Sequence, residues 1–163
     1  MSTPPVEKDW VTASGLRAVI NHCRYSSGHW HRCGYVGVPV GSMFYGAGYS
    51  EPLVQIPRDE VQAIPLGKKG ALLAITAGVN AAPGDTLRRS LDVVIDVHGG
   101  ITYSGGSEQY PAPSDGLWWF GYDTGHCDDS DEGGQPLDYC IAECESMAQQ
   151  LLELEARCRR AAA

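Results

Sequence analysis

The strongest constraint on the fold lies at the end of the chain. Leu137, Cys140, Cys144, Met147, Leu151, Leu154 and Cys158 follow alternating steps of three and four residues, which puts them on one stripe of an α-helix. Pro136 suits the first helical position, Asp138 favours the positive pole of the helix dipole, and Arg157, Arg159 and Arg160 favour the negative pole. From Pro136 to Arg160 such a helix is about 37 Å long at 1.5 Å per residue. A single apolar stripe needs one apolar surface to cover it. The leading expectation is a β-sheet of the same chain; the alternative is a homodimeric coiled coil, of roughly three heptads with Cys in the seam.

Strand signals supply that sheet. Leu16 to Cys23 is short, β-branched and bounded by Ser14-Gly15. Trp30 to Val38 alternates, with His31, Cys33 and Tyr35 on one face and Trp30, Arg32, Gly34 and Val36 on the other. The link from Arg24 to His29 is short enough for a hairpin, and Pro39 ends the second strand because proline cannot donate to the ladder. Leu91 to Val97 reads as a strand running into His98, Ile101 to Tyr103 as a short one, and Leu117 to Tyr122 as an aromatic one. Ser104 to Gly116 reads as a surface loop, and Ala71 to Ala77 fits either helix or strand. The expected fold is α+β: a small, mostly antiparallel sheet with the long C-terminal helix packed on one face. Residues 1–9 are expected to be flexible and residues 10–163 to form a single domain.

Composition narrows the function classes. The formal charge of −8 argues against general nucleic-acid binding, since neutralising phosphates takes a surplus of Lys and Arg. No apolar run reaches the 18 residues of a membrane span. The first nine residues lack a basic start followed by an apolar core, so a cytoplasmic location is expected, with the six cysteines reduced. No G-x-S-x-G elbow, Walker loop or G-x-G-x-x-G after a strand occurs, which removes the commonest hydrolase, NTPase and dehydrogenase signatures.

Two segments place chemically able residues directly after an apolar run. In His98-Gly99-Gly100-Ile101-Thr102-Tyr103, paired glycines let backbone approach a ligand and free their amides for an anion, while His98 can act as a base or ligand. In Trp118 to Asp129, Asp123 and His126 are three residues apart and Asp129 follows. Carboxylates beside imidazole suit proton transfer or a divalent metal. The candidate catalytic residues are therefore His98, Asp123 and His126. Gly99, Gly100, Thr102, Tyr103 and Trp119 are candidate ligand-binding residues, with Trp119 stacking on a base. Asp129 joins His126 and Asp123 as a candidate site for a divalent metal cofactor. Each segment also has a plain reading, as a tight turn and as an acidic surface loop. A third group, His22-Cys23 with His29, His31 and Cys33, contains ligand types for Zn²⁺ without zinc-finger spacing; strand residues in such a pattern commonly just pack or face water.

The combination Cys33-Gly-Tyr-Val36, His98-Gly-Gly-Ile-Thr-Tyr103 and Trp118-Trp-Phe-Gly-Tyr-Asp123 with His126 and Asp129 resembles a family of small proteins encoded mainly by bacteriophages and prophages. The resemblance covers roughly residues 16–38 and 91–129, and the final helix fits it. Residues 50–90 read as a lineage-specific stretch, and Thr124-Gly125 departs from the small pair expected there. It implies a viral origin and no activity of its own; small acidic phage proteins often act on host defence. The expected function is binding of a small phosphorylated or nucleotide-like ligand, with its hydrolysis by His98, Asp123 and His126 left open. The alternative is a non-catalytic interaction protein that inhibits a host defence protein or sequesters its signal.

Overall fold

A computed structural model describes residues 4–24, 28–57, 86–126 and 134–163. Strands β1 (Val6–Val11), β2 (Arg17–Arg24), β3 (Trp30–Pro39), β6 (Tyr103–Gly105) and β7 (Leu117–Asp123) form one antiparallel sheet in the order β1-β2-β3-β7-β6. Strands β4 (Val54–Pro57) and β5 (Thr86–Arg89) pair separately. Helix α1 (Leu91–Val94) is one turn, and α2 (Leu137–Ala161) is the long C-terminal helix. No helix of the described residues is long and apolar enough to cross a membrane.

The sheet has two buried faces, and alternation along each strand decides what lies on which. Ala18, Ile20, Val36, Val38, Phe120 and Tyr122 face α2 and meet its Cys140, Cys144, Met147, Ala148, Leu151 and Leu154. The apolar stripe is thus buried within its own chain, which removes it as a coiled-coil seam. The Tyr122 hydroxyl donates to the Cys140 carbonyl at 2.9 Å, fastening β7 to the first turns of α2. Burial pushes the Cys140 thiol up to about 11 and the Cys144 thiol up to about 12, so both remain neutral packing groups at physiological pH. On the opposite face Val19, Cys23, Cys33, Tyr35 and Trp119 pack under Ala112 of the loop that follows β6.

Two glycines make the central pairing possible. Gly34 lies opposite Tyr122, and a Cβ there would stand 2.7 Å from the ring's Cζ on the helix face. Gly121 lies between Tyr35 of β3 and Tyr103 of β6, whose rings meet at 5.5 Å between centroids on the other face. Bare backbone lets a large ring lie across the neighbouring strand.

Three expectations are corrected. Within the stretch expected to be flexible, residues from Val6 onward belong to β1, whose charges are paired across strands: Glu7 with Arg32 at 2.7 Å and Asp9 with Arg17 at 2.6 Å. Trp10 Nε1 and the Ala13 N–H also donate to Glu145 of α2. Its polarity is that of an edge strand, which carries charge to discourage further pairing. Leu91–Val97 is not a strand. Ser90 and Leu91 carbonyls close one helical turn, after which Ile95 is extended. From there the backbone is held by α2 side chains: the Asp96 N–H donates to Gln150 Oε1 at 2.7 Å, Gln150 Nε2 donates back to the Asp96 carbonyl at 2.8 Å, and the His98 N–H donates to Glu143 at 2.6 Å. Finally, the strand expected at Ile101–Tyr103 lies at Tyr103–Gly105, taking the first residues of the expected loop. The segment Ala71–Ala77 lies outside the described residues.

Candidate functional site

His98 leaves the backbone clamp of α2 and enters a tight turn closed by a Gly100 N–H to Val97 carbonyl bond of 2.9 Å. Gly99 and Gly100 have φ of 65° and 83°, the left-handed region that glycine enters without a Cβ penalty. The half-buried His98 ring faces three others: His126 with centroids 5.5 Å apart, Tyr139 of α2 at 5.6 Å, and Tyr122 at 6.5 Å. His98 Nδ1 lies 3.1 Å from the Tyr139 hydroxyl.

Asp123 ends β7 and is fixed from two sides. Its Oδ2 accepts from the Thr102 hydroxyl and its Oδ1 from the Gly125 N–H, each at 3.1 Å. His126 Nε2 stands 4.0 Å from the same Oδ1, an ion pair when the imidazole is protonated. His98, Gly99, Gly100 and Thr102 from one stretch of sequence and Asp123 and His126 from another therefore meet at one end of the sheet.

Other expected site residues are placed elsewhere. Trp119 cannot stack on a ligand: its side chain is wholly buried on the other face, Nε1 donates to the Ser114 hydroxyl, and the Arg17 guanidinium covers the ring. Tyr103 packs there with Tyr35 and Tyr110. The reason is register: Trp119 and Asp123 are odd-numbered on β7 and share a face, but Trp119 sits four residues back, beneath the loop that follows β6. Asp129 lies outside the described residues.

A cavity of about 400 Å³ opens beside His98. Its walls include His98, Gly99 and Gly100, then Tyr139, Glu143 and Ser146 along α2, with Asp92 and Asp96 opposite. Asp123 and His126 are not among its walls. The sequence reading missed Tyr139 and Glu143. Their signal was available, since Tyr139, Glu143, Ser146 and Gln150 recur in steps of four, three and four, a polar stripe parallel to the apolar one.

On the face away from α2, Cys23, His31 and Cys33 also converge, with their donor atoms all within 4.8 Å of one another. The two thiols share a hydrogen bond that lowers the Cys23 pKa and raises that of Cys33, while burial lowers the pKa of His31. All of the described cysteines are free thiols.

No protein-family model, curated protein or solved structure matches the chain.

Proposed function

We propose that this chain binds a small phosphorylated or nucleotide-like ligand beside the His98-Gly99-Gly100 turn and hydrolyses it with the His98–His126 pair. The observation that carries this reading is the meeting of two imidazoles, 5.5 Å between centroids, over a turn of two left-handed glycines. The glycines allow phosphate oxygens to approach backbone closely. One imidazole takes a proton from the attacking water and the other gives one to the leaving group. Asp123, held by Thr102 and Gly125, places its carboxylate 4.0 Å from His126 Nε2.

Asp92, Asp96 and Glu143 make the adjoining cavity acidic. A phosphate would enter with a divalent cation that offsets those carboxylates. The resemblance to phage proteins adds a setting, in which the ligand is a nucleotide signal of the host.

The test is a thermal-shift panel of nucleoside phosphates with and without Mn²⁺, followed by phosphate release for any binder. The expected result is a cation-dependent rise in melting temperature that His98→Ala and His126→Ala abolish, with their ligand-free melting temperatures within a few degrees of wild type. An identical rise in both variants would overturn the reading. The acidic cavity wall favours one second reading: a non-catalytic protein that docks a basic segment of a host defence protein. Binding without phosphate release, lost on Asp92→Asn with Asp96→Asn but kept in His126→Ala, would select it.

A further inference from the structure

We propose that Cys23, His31 and Cys33 bind a zinc-type divalent ion through two thiolates and one imidazole, at a centre separate from the His98 cluster. The hairpin register builds the set. Cys23 lies directly opposite His31, and Cys33 is two residues further along β3 on the same face. Three donors from two adjacent strands therefore point into one space with little loop geometry to maintain them.

Their chemistry and spacing fit the ion. The donor atoms lie within 4.8 Å of one another. Tetrahedral zinc, with bonds near 2.3 Å to sulfur and 2.0–2.1 Å to nitrogen, draws such donors to roughly 3.5–3.8 Å. Rotamer adjustment of about 1 Å closes that gap without moving either strand. Two sulfurs and an imidazole nitrogen select zinc or a similar borderline ion, whereas calcium and magnesium prefer oxygen. Cys23, His31 and Cys33 are 9%, 8% and 8% exposed, so the centre is sheltered. Two thiolates neutralise the dication, which makes a buried centre electrostatically tolerable.

The fourth position would be taken by water. Asp123 is the register partner of Cys33 and places its carboxylate near this group, but both of its oxygens already accept hydrogen bonds from Thr102 and Gly125. It acts as an outer carboxylate. Metal there would tie the C-terminal end of β2 to the N-terminal end of β3 and stiffen the strand end that carries Asp123.

The experiment uses the full chain purified under reducing conditions without chelator. Metal content is measured directly, and the stripped protein is titrated with Co²⁺. The expected result is one equivalent bound, with intense thiolate-to-cobalt charge transfer and the visible bands of a tetrahedral ion. Cys23→Ser and Cys33→Ser should each remove the charge-transfer intensity, while Cys158→Ser leaves it unchanged. Should those variants fail to fold, alkylation of the wild-type protein decides: bound Zn²⁺ should protect Cys23 and Cys33, and chelator should expose them. A featureless cobalt titration, or equal alkylation with and without zinc, would overturn the proposal. So would a Cys23–Cys33 disulfide that persists under the reducing conditions.

Discussion

The His126 ring lies against Gly99, where a Cβ would stand 2.7 Å from Nε2 and overlap the ring carbon beside it. The glycine thus does two jobs: it takes a φ of 65° and leaves the space that brings His126 up to His98. Gly99→Ala should strain the turn and displace His126 together. The expected cost is more than about 1 kcal/mol, since alanine is incompatible with the left-handed φ. Chemical denaturation gives that cost, and NMR contacts between the His98 and His126 rings should disappear. Persistence of those contacts would show that the turn adapts without moving the histidine.

Leu151 is 1% exposed in the stripe between α2 and the sheet. Leu151→Asp puts a carboxylate in that contact and should destabilise by about 3–5 kcal/mol. A protein with only about 5–15 kcal/mol in hand would lose much of its margin. A melting temperature equal to wild type would mean that the helix is not docked.

Helix α2 was legible because its apolar period matches the one face it buries, and β2, β3 and β7 because short β-branched or aromatic runs mark strands buried on both faces. Leu91–Val97 misled because its valines and isoleucine fit a strand, whereas what holds its backbone is remote in sequence. Gln150 and Glu143 supply the hydrogen bonds that a neighbouring strand would have given. Nothing local to residues 91–97 announces this, although the polar stripe of α2 does. The meeting of His98 with His126 was within reach of sequence reasoning, as both follow strong apolar or aromatic runs. Trp119 was misplaced because alternation puts it on the face of Asp123 but says nothing about the loop that covers the strand four residues back. β1 was missed because an edge strand buries little, so its hydrophobic signal is weak.

Tyr122 joins the sheet to α2 through a single hydroxyl, and its ring also fills the space over Gly34. Tyr122→Phe keeps the ring and removes the donor to the Cys140 carbonyl. About 0.5–1.5 kcal/mol should be lost, the net worth of one hydrogen bond, because the Cys140 carbonyl lies within α2 and keeps its helical partner. Gly34→Ala attacks the same contact from the other strand, forcing the ring to move. In a double-mutant cycle the two costs should not add, as both act on one ring. Strict additivity would separate the ring's packing from its hydrogen bond.

Glu155 anchors the turn after β3 to α2. It accepts from the Met43 N–H at 3.0 Å, the Ser42 hydroxyl at 2.8 Å and Arg159 at 2.6 Å. Burial opposes its charge, but these donors outweigh burial and hold its pKa below the ordinary 4.5. Because the folded value is the lower one, this stabilisation is present at neutral pH and is lost as pH falls below 4.5 through the folded pKa. Glu155→Gln keeps the size of the side chain and removes the charge. It should therefore cost about 1.5–3 kcal/mol at pH 7, the range for hydrogen bonds to a charged group. Wild type and variant should converge in stability as the pH is lowered below 4. Parallel stability curves down to pH 3 would mean that the carboxylate's charge is not what holds the turn to the helix.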